Sequence, residues 1–219
     1  MVSKPTAIRS VVFDYGCVLS LAPGPEDFEP LRLAVGVERA ALQELYWGNR
    51  EAYDVDAIDG TAYWQAMARG AGYEFSADKV LHLSSLDVEM WGRPNSVMVE
   101  WAHLLRERGL KTAVLSNMSR TVSSRLRQSA KWLARFDHLS FSGELRMAKP
   151  GLEIYRVCLK ALGVLPRQAL FLDDREVNVA AARAVGMHAI VFRSVEELTH
   201  DLEPYGLASS LAEARARAR

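Results

Sequence analysis

A chain of 219 residues, 49% of them hydrophobic, is long enough to bury one core, or a core with a smaller inserted unit. Lys+Arg and Asp+Glu balance at 27 each, so no net field favours nucleic acid, an anionic membrane or a polyanionic partner. The opening MVSKPTAIRS is too polar for a secretory leader, and no apolar run approaches the roughly 20 residues of a spanning helix, so a cytoplasmic location is expected.

The first apolar run, IRSVVF, predicts a buried strand that ends on the lone carboxylate of Asp14, after which VVFDYGCVLS turns through Gly16. Residues 21–92 then break the strand pattern. They open on the loop APGPEDFEP and continue as helices carrying Tyr46, Trp47, Tyr53, Tyr63, Trp64 and Trp91, which predicts an inserted helical unit. WGRPNS, with Gly and Pro beside a helix start, makes a return hinge into a core of residues 1–20 and 93–206.

Strand and helix alternate from there. SVMVEWAHLLRERG has helical spacing and stops at Gly109; KTAVL leads to Ser116; HLSFS leads to Gly143. GLEIYRVCLKALG is helical up to Gly163, ALFL ends before Asp173, EVNVAAARAVG is helical again, and HAIVF ends before Arg193. Short runs apolar on both parities, separated by helices, predict an α/β fold with a doubly wound parallel sheet. The Ala/Arg-rich tail 207–219 reads as a frayed, solvated helix end. Cys17 and Cys158 are the only cysteines, which excludes a disulfide framework and a zinc site.

Open parallel sheets gather ligands at the carboxyl ends of their strands. Here those ends carry Asp14, the pair Ser116–Asn117 and the pair Asp173–Asp174, with Lys149 in the loop MAKPG. Three acids and one lysine suit Mg²⁺ and phosphate, because Mg²⁺ prefers oxygen ligands and bridges carboxylates to phosphate. As a helix N-cap, Asp173 has a plainer reading as well.

VVFDYGCVLS resembles the first motif of the haloacid dehalogenase superfamily, VLSNM the second, KPGLEIY the third and FLDDREVNV the fourth, in that family's order. The resemblance is to the phosphatase branch with a helical cap, including α-D-glucose-1-phosphatase-like and epoxide hydrolase N-terminal phosphatase-like members. It implies a Rossmann-like core and a cap inserted after the first strand. It also implies Asp14 as the nucleophile that forms an aspartyl phosphate. Mg²⁺ would be held by Asp14, Asp174 and the carbonyl of Gly16, with Asp173 and Asn178 in support. Ser116 and the Asn117 amide would hold phosphoryl oxygens, and Lys149 would neutralise charge on substrate and nucleophile. A small phosphorylated metabolite is the implied substrate; neither nucleic acid nor membrane is implied as a partner, and homodimerisation is left open.

The chain departs from the pattern at Gly16, where phosphatases of this family carry a second Asp that protonates the leaving oxygen. Cys17 also stands where the family commonly has Gly. Loss of the acid implies a preference for phosphates with good leaving groups, such as anomeric sugar phosphates or aryl phosphates. Two other readings stay open: a non-catalytic phospho-ligand binder, and a 2-haloacid dehalogenase, whose fourth motif lacks the acidic pair present here. Tyr46, Trp47, Trp64 and Trp91 are candidates to line the pocket, although aromatics at helical spacing more often form core. His82, His103 and His138 are candidates to replace the missing acid only if folding brings one to the site.

Overall fold

The computed structural model describes residues 7–219, so most of the polar N-terminal stretch lies outside the described residues. β1 (Ser10–Phe13) is followed by a wide helical turn over Tyr15–Leu19. The chain then runs through α1 (Glu29–Val35), α2 (Arg39–Gly48), α3 (Arg50–Asp54), α4 (Gly60–Gly70) and α5 (Ala77–Trp91), with no strand between residues 29 and 91. The core resumes with α6 (Ser96–Glu107), β2 (Lys111–Ser116), α7 (Arg120–Ser129), β3 (His138–Phe141), α8 (Ser142–Leu145) and α9 (Leu152–Leu162). β4 (Ala169–Asp173), α10 (Glu176–Ala184), β5 (His188–Val191), α11 (Val195–Asp201) and α12 (Ala208–Arg217) complete it.

The five strands form one parallel sheet in the order β3-β2-β1-β4-β5, the Rossmann-like doubly wound arrangement. Phe13 is in register with Val114 on one side and Leu172 on the other. Alternate residues enter different layers because side chains alternate along a strand. Val11, Phe13, Val114 and Leu172 pack with Met98, Trp101 and Leu105 of α6. Val12, Ala113, Leu115 and Phe171 pack with Ile154 and Leu159 of α9 and Val179 of α10. Burial on both faces is why each strand reads as a continuous apolar run.

The helices α1–α5 share an interior of Tyr46, Tyr53, Tyr63 and Trp64, all fully or almost fully buried. The chain leaves and rejoins the core at one antiparallel bridge between Ser20 and Pro94. Leu21 N–H donates to the Arg93 carbonyl at 2.8 Å, and Asn95 N–H donates to the Leu19 carbonyl at 2.8 Å.

The tail expectation is corrected. Residues 208–217 form α12, whose Ser210, Leu211 and Ala214 are buried against α6, and Trp101 Nε1 donates to Ser210 Oγ at 2.8 Å. The small residues that made this segment look featureless let it approach α6 closely, while Arg217 reaches Glu100 and Glu107 outside the seam. Leu211→Ala is expected to cost about 2–5 kcal/mol, read as a lower urea midpoint at unchanged slope. A cost near zero would return the segment to a dispensable end. Among the described residues, no helix is long and apolar enough to cross a membrane.

Candidate active site

Asp14 continues the sheet beyond β1 through its N–H, which donates to the Leu172 carbonyl at 2.8 Å. The chain must then leave the sheet sharply. It does so with Gly16 at φ −63°, ψ 135° and Cys17 at φ 60°, ψ −5°. Cys17 therefore holds the left-handed conformation that favours glycine, which accounts for the family preference at that position. Gly16 has an ordinary φ, so its backbone does not demand glycine. A Cβ there would lie 3.4 Å from Trp91 Cζ3, in ordinary contact.

Lys149 Nζ lies 2.8 Å from Asp14 Oδ1 and 2.6 Å from Asp173 Oδ2, so one ammonium is shared by two strand-end carboxylates. All three groups are buried: Lys149 is 4% exposed, Asp14 7% and Asp173 0%. Asp173 also accepts from Asn178 Nδ2 at 2.9 Å and from the Arg175 N–H at 2.9 Å, so its main structural work is to hold the lysine and the start of α10. Asn117, expected to act through its backbone amide, uses its side chain as a clasp. Its Oδ1 accepts from Lys149 N–H and its Nδ2 donates to the Lys149 carbonyl, both at 2.9 Å. Ser116, at the end of β2, joins Asp14, Asn117, Lys149 and Asp174 in lining one cleft.

Burial pushes the Asp14 carboxyl up to about 7; Lys149 opposes this, while Asp173 and Asp174 add to it. Burial acts to lower Lys149, but the two carboxylates outweigh it and hold the ammonium above the ordinary lysine value. Burial and the nearby Asp174 and Asp14 push the Cys17 thiol up to about 12, which leaves it a poor nucleophile.

Oxygen atoms of Asp14, Asp173 and Asp174 lie within 4.8 Å of one another. Asn178 Oδ1 beside them is buried and without a hydrogen-bond partner in the protein. Three carboxylates and an unpaired amide oxygen are a donor set suited to a hard cation such as Mg²⁺.

The cleft has a volume of about 980 Å³ and extends from these groups to the inserted helices. Trp47 and Trp91 line it, whereas Tyr46 and Trp64 belong to the buried interior. None of His82, His103 and His138 lines it, and burial holds His103 below its ordinary value within α6. Sequence reasoning missed Arg50 and Asp54, which do line it. Arg50 Nε donates to Asp54 Oδ1 at 3.0 Å, and burial raises Asp54 to about 6 against the pull of Arg50. Their i, i+4 spacing was the available signal.

A doubly wound sheet thus gathers carboxylates, a hydroxyl and an ammonium at one edge, where open parallel sheets bind their ligands. The chain belongs to the haloacid dehalogenase-like hydrolase family, whose pattern matches residues 8–186. It is 26% identical over 198 residues to the drimenol cyclase drtB of Aspergillus calidoustus, covering 89% of this chain and 36% of that protein. It is 41% identical over 85 residues to the phosphatase MT3486 of Mycobacterium tuberculosis, covering 38% of this chain and 39% of that one. The chain thus spans well under half the length of either relative. Among solved structures, a haloacid dehalogenase family enzyme of Bacteroides thetaiotaomicron, in complex with magnesium and inorganic phosphate, aligns with a TM-score of 0.71 at 18% identity. That alignment covers 85% of this chain and 95% of the other.

Proposed function

We propose that this chain is a cytoplasmic, Mg²⁺-dependent phosphomonoesterase acting on small phosphorylated metabolites. The observation that carries the reading is the single buried ammonium of Lys149 shared between Asp14 and Asp173, beside a third carboxylate on Asp174. The magnesium and phosphate held by the Bacteroides enzyme and the phosphatase name of the mycobacterial relative support it. The acidic pair Asp173–Asp174 disfavours a haloacid substrate, whose carboxylate it would repel.

Asp14 Oδ attacks phosphorus; the Oδ–P bond forms as the bond to the leaving oxygen breaks, giving an aspartyl phosphate. Water then attacks phosphorus, releasing inorganic phosphate and restoring the Asp14 carboxylate. Lys149 offsets the charge on nucleophile and phosphoryl group, and Ser116 Oγ–H and the Asn117 N–H hold phosphoryl oxygens. Asp14, Asp174 and the Gly16 carbonyl would hold Mg²⁺, which when bound neutralises phosphoryl charge. Asn178 Oδ1, which has no partner in the protein, would support the cation when it is bound.

No side chain at position 16 protonates the leaving oxygen, and such assistance is worth roughly 10²- to 10⁴-fold. Rates with Mg²⁺ across phosphate esters of graded leaving-group pKa are therefore expected to fall steeply as the leaving group becomes more basic. Equal efficiency on simple alkyl and aryl phosphates would overturn the preference. A protein that releases phosphate from none of them is a phospho-ligand binder instead.

A further inference from the structure

Three aromatic side chains of the inserted segment line the cleft: Phe28, Trp47 and Trp91. All three meet at one buried residue. The Tyr46 ring stands edge-on to Phe28 at 5.5 Å and to Trp47 at 4.8 Å between centroids, and its hydroxyl accepts from Trp91 Nε1 at 2.9 Å. The same hydroxyl donates to Asp87 Oδ1 at 2.5 Å and accepts from Arg50 Nη1 at 2.5 Å, so one donor site and two acceptor sites are all in use. Arg50 in turn pairs with Asp87 at 3.1 Å. A saturated buried network of this kind rigidifies what it holds. Here it holds an aromatic wall.

The wall begins beside the nucleophile. Apart from its chain neighbours, Trp91 is the only described residue within 4 Å of the place where a Cβ on Gly16 would stand. From the core, Met118, Val122 and Leu126 add apolar surface to the cleft. The charged pair Arg50–Asp54 also lines it, but is closed on itself through its 3.0 Å hydrogen bond. Gln43 and Glu51 are the other polar side chains that the inserted helices bring to the cleft, and Gln43 Oε1 is taken up by Trp47 Nε1 at 3.1 Å. Beyond its charged end the cleft therefore offers mainly flat, apolar surface, with Glu51 at its edge.

We infer that Trp91 is a specificity-determining residue, that Tyr46 positions it, and that the group esterified to phosphate is a planar apolar one larger than a single ring. The inference rests on the phosphatase reading for the phosphate end alone. Trp91 replaces polar assistance at position 16 with an apolar surface that suits leaving groups able to depart without a proton.

The test uses pairs matched in leaving-group chemistry but not in area: phenyl phosphate against 4-phenylphenyl phosphate, and the corresponding non-hydrolysable phosphonates. In the wild type, kcat/KM is expected to favour the biphenyl ester by about tenfold or more, since each tens of Å² of buried apolar area multiplies affinity several-fold. Trp91→Ala should cut that ratio to within about threefold, with the loss falling mainly in KM for the larger ester. Tyr46→Phe keeps the ring contacts but frees the indole N–H, and should lower the ratio to an intermediate value without a matching loss on phenyl phosphate. Calorimetric binding of the two phosphonates should show the same order in wild type and its collapse in Trp91→Ala. Phosphate release with no preference, or a preference that survives Trp91→Ala, overturns the inference and leaves the phosphatase reading standing. Selective phosphonate binding through Trp91 in a protein that turns nothing over supports the inference and removes the phosphatase reading.

Discussion

Asp14→Asn is expected to lower phosphate release by at least about 10⁴-fold, because the variant lacks the oxygen nucleophile on which the two-step displacement depends. The fold should survive. Asn is nearly isosteric and keeps an oxygen for the Tyr15 N–H, now 2.7 Å from Asp14 Oδ1, while Lys149 keeps Asp173 at 2.6 Å. Removing one of two carboxylates that share an ammonium also removes a buried, partly repelled charge, so the melting temperature should hold or rise. Activity above about one part in a hundred would show that Asp14 is not the nucleophile. A melting temperature lower by more than about 5 °C would show instead that the Asp14–Lys149 pair is chiefly structural.

Lys149→Met should damage both chemistry and stability. Loss of the cation that faces the transferring group is expected to cost about 10²- to 10³-fold in turnover. It also strands Asp14 and Asp173 as neighbouring buried acids, a change that typically costs about 3–5 kcal/mol at neutral pH. Its pH dependence has a definite sign. Burial already raises Asp14 from 3.8 to about 7, with Lys149 pulling the other way. Without Lys149 the folded-state value rises further above the unfolded one. Such a group stabilises the fold below its unfolded value, and that stability is lost as pH rises towards the folded value. Urea unfolding should therefore find Lys149→Met closest to wild type near pH 5 and furthest from it near pH 8. A deficit independent of pH would mean that lost packing, not stranded charge, is the cause.

Much of this was legible in the sequence, for a physical reason. Parallel strands covered on two faces need apolar residues at every position, so IRSVVF, KTAVL, HLSFS, ALFL and HAIVF each coincide with a strand to within a residue or two. Asp14, Ser116 and Asp173 follow those runs, Lys149 lies in the loop between α8 and α9, and one sheet edge brings them together. The strand order could not be read, because periodicity does not say which strands are neighbours. The burial of α12 is not legible because alanines and one leucine give little amphipathic contrast, although they are what a close helix contact needs. The bidentate clasp of the Asn117 side chain on Lys149 depends on a loop whose path the sequence does not show. The Tyr46–Asp87–Arg50 network lay beyond reach for a similar reason: Asp87 is on α5, far along the chain from α2 and α3, and only the fold makes them neighbours.

The bridge between Ser20 and Pro94 separates two kinds of heritable change. Because the chain departs from the core and returns to it at the same point, the segment between can change in sequence and length without re-registering a strand. Substitutions in α1–α5 can then retune which molecule is accepted while the reaction stays the same.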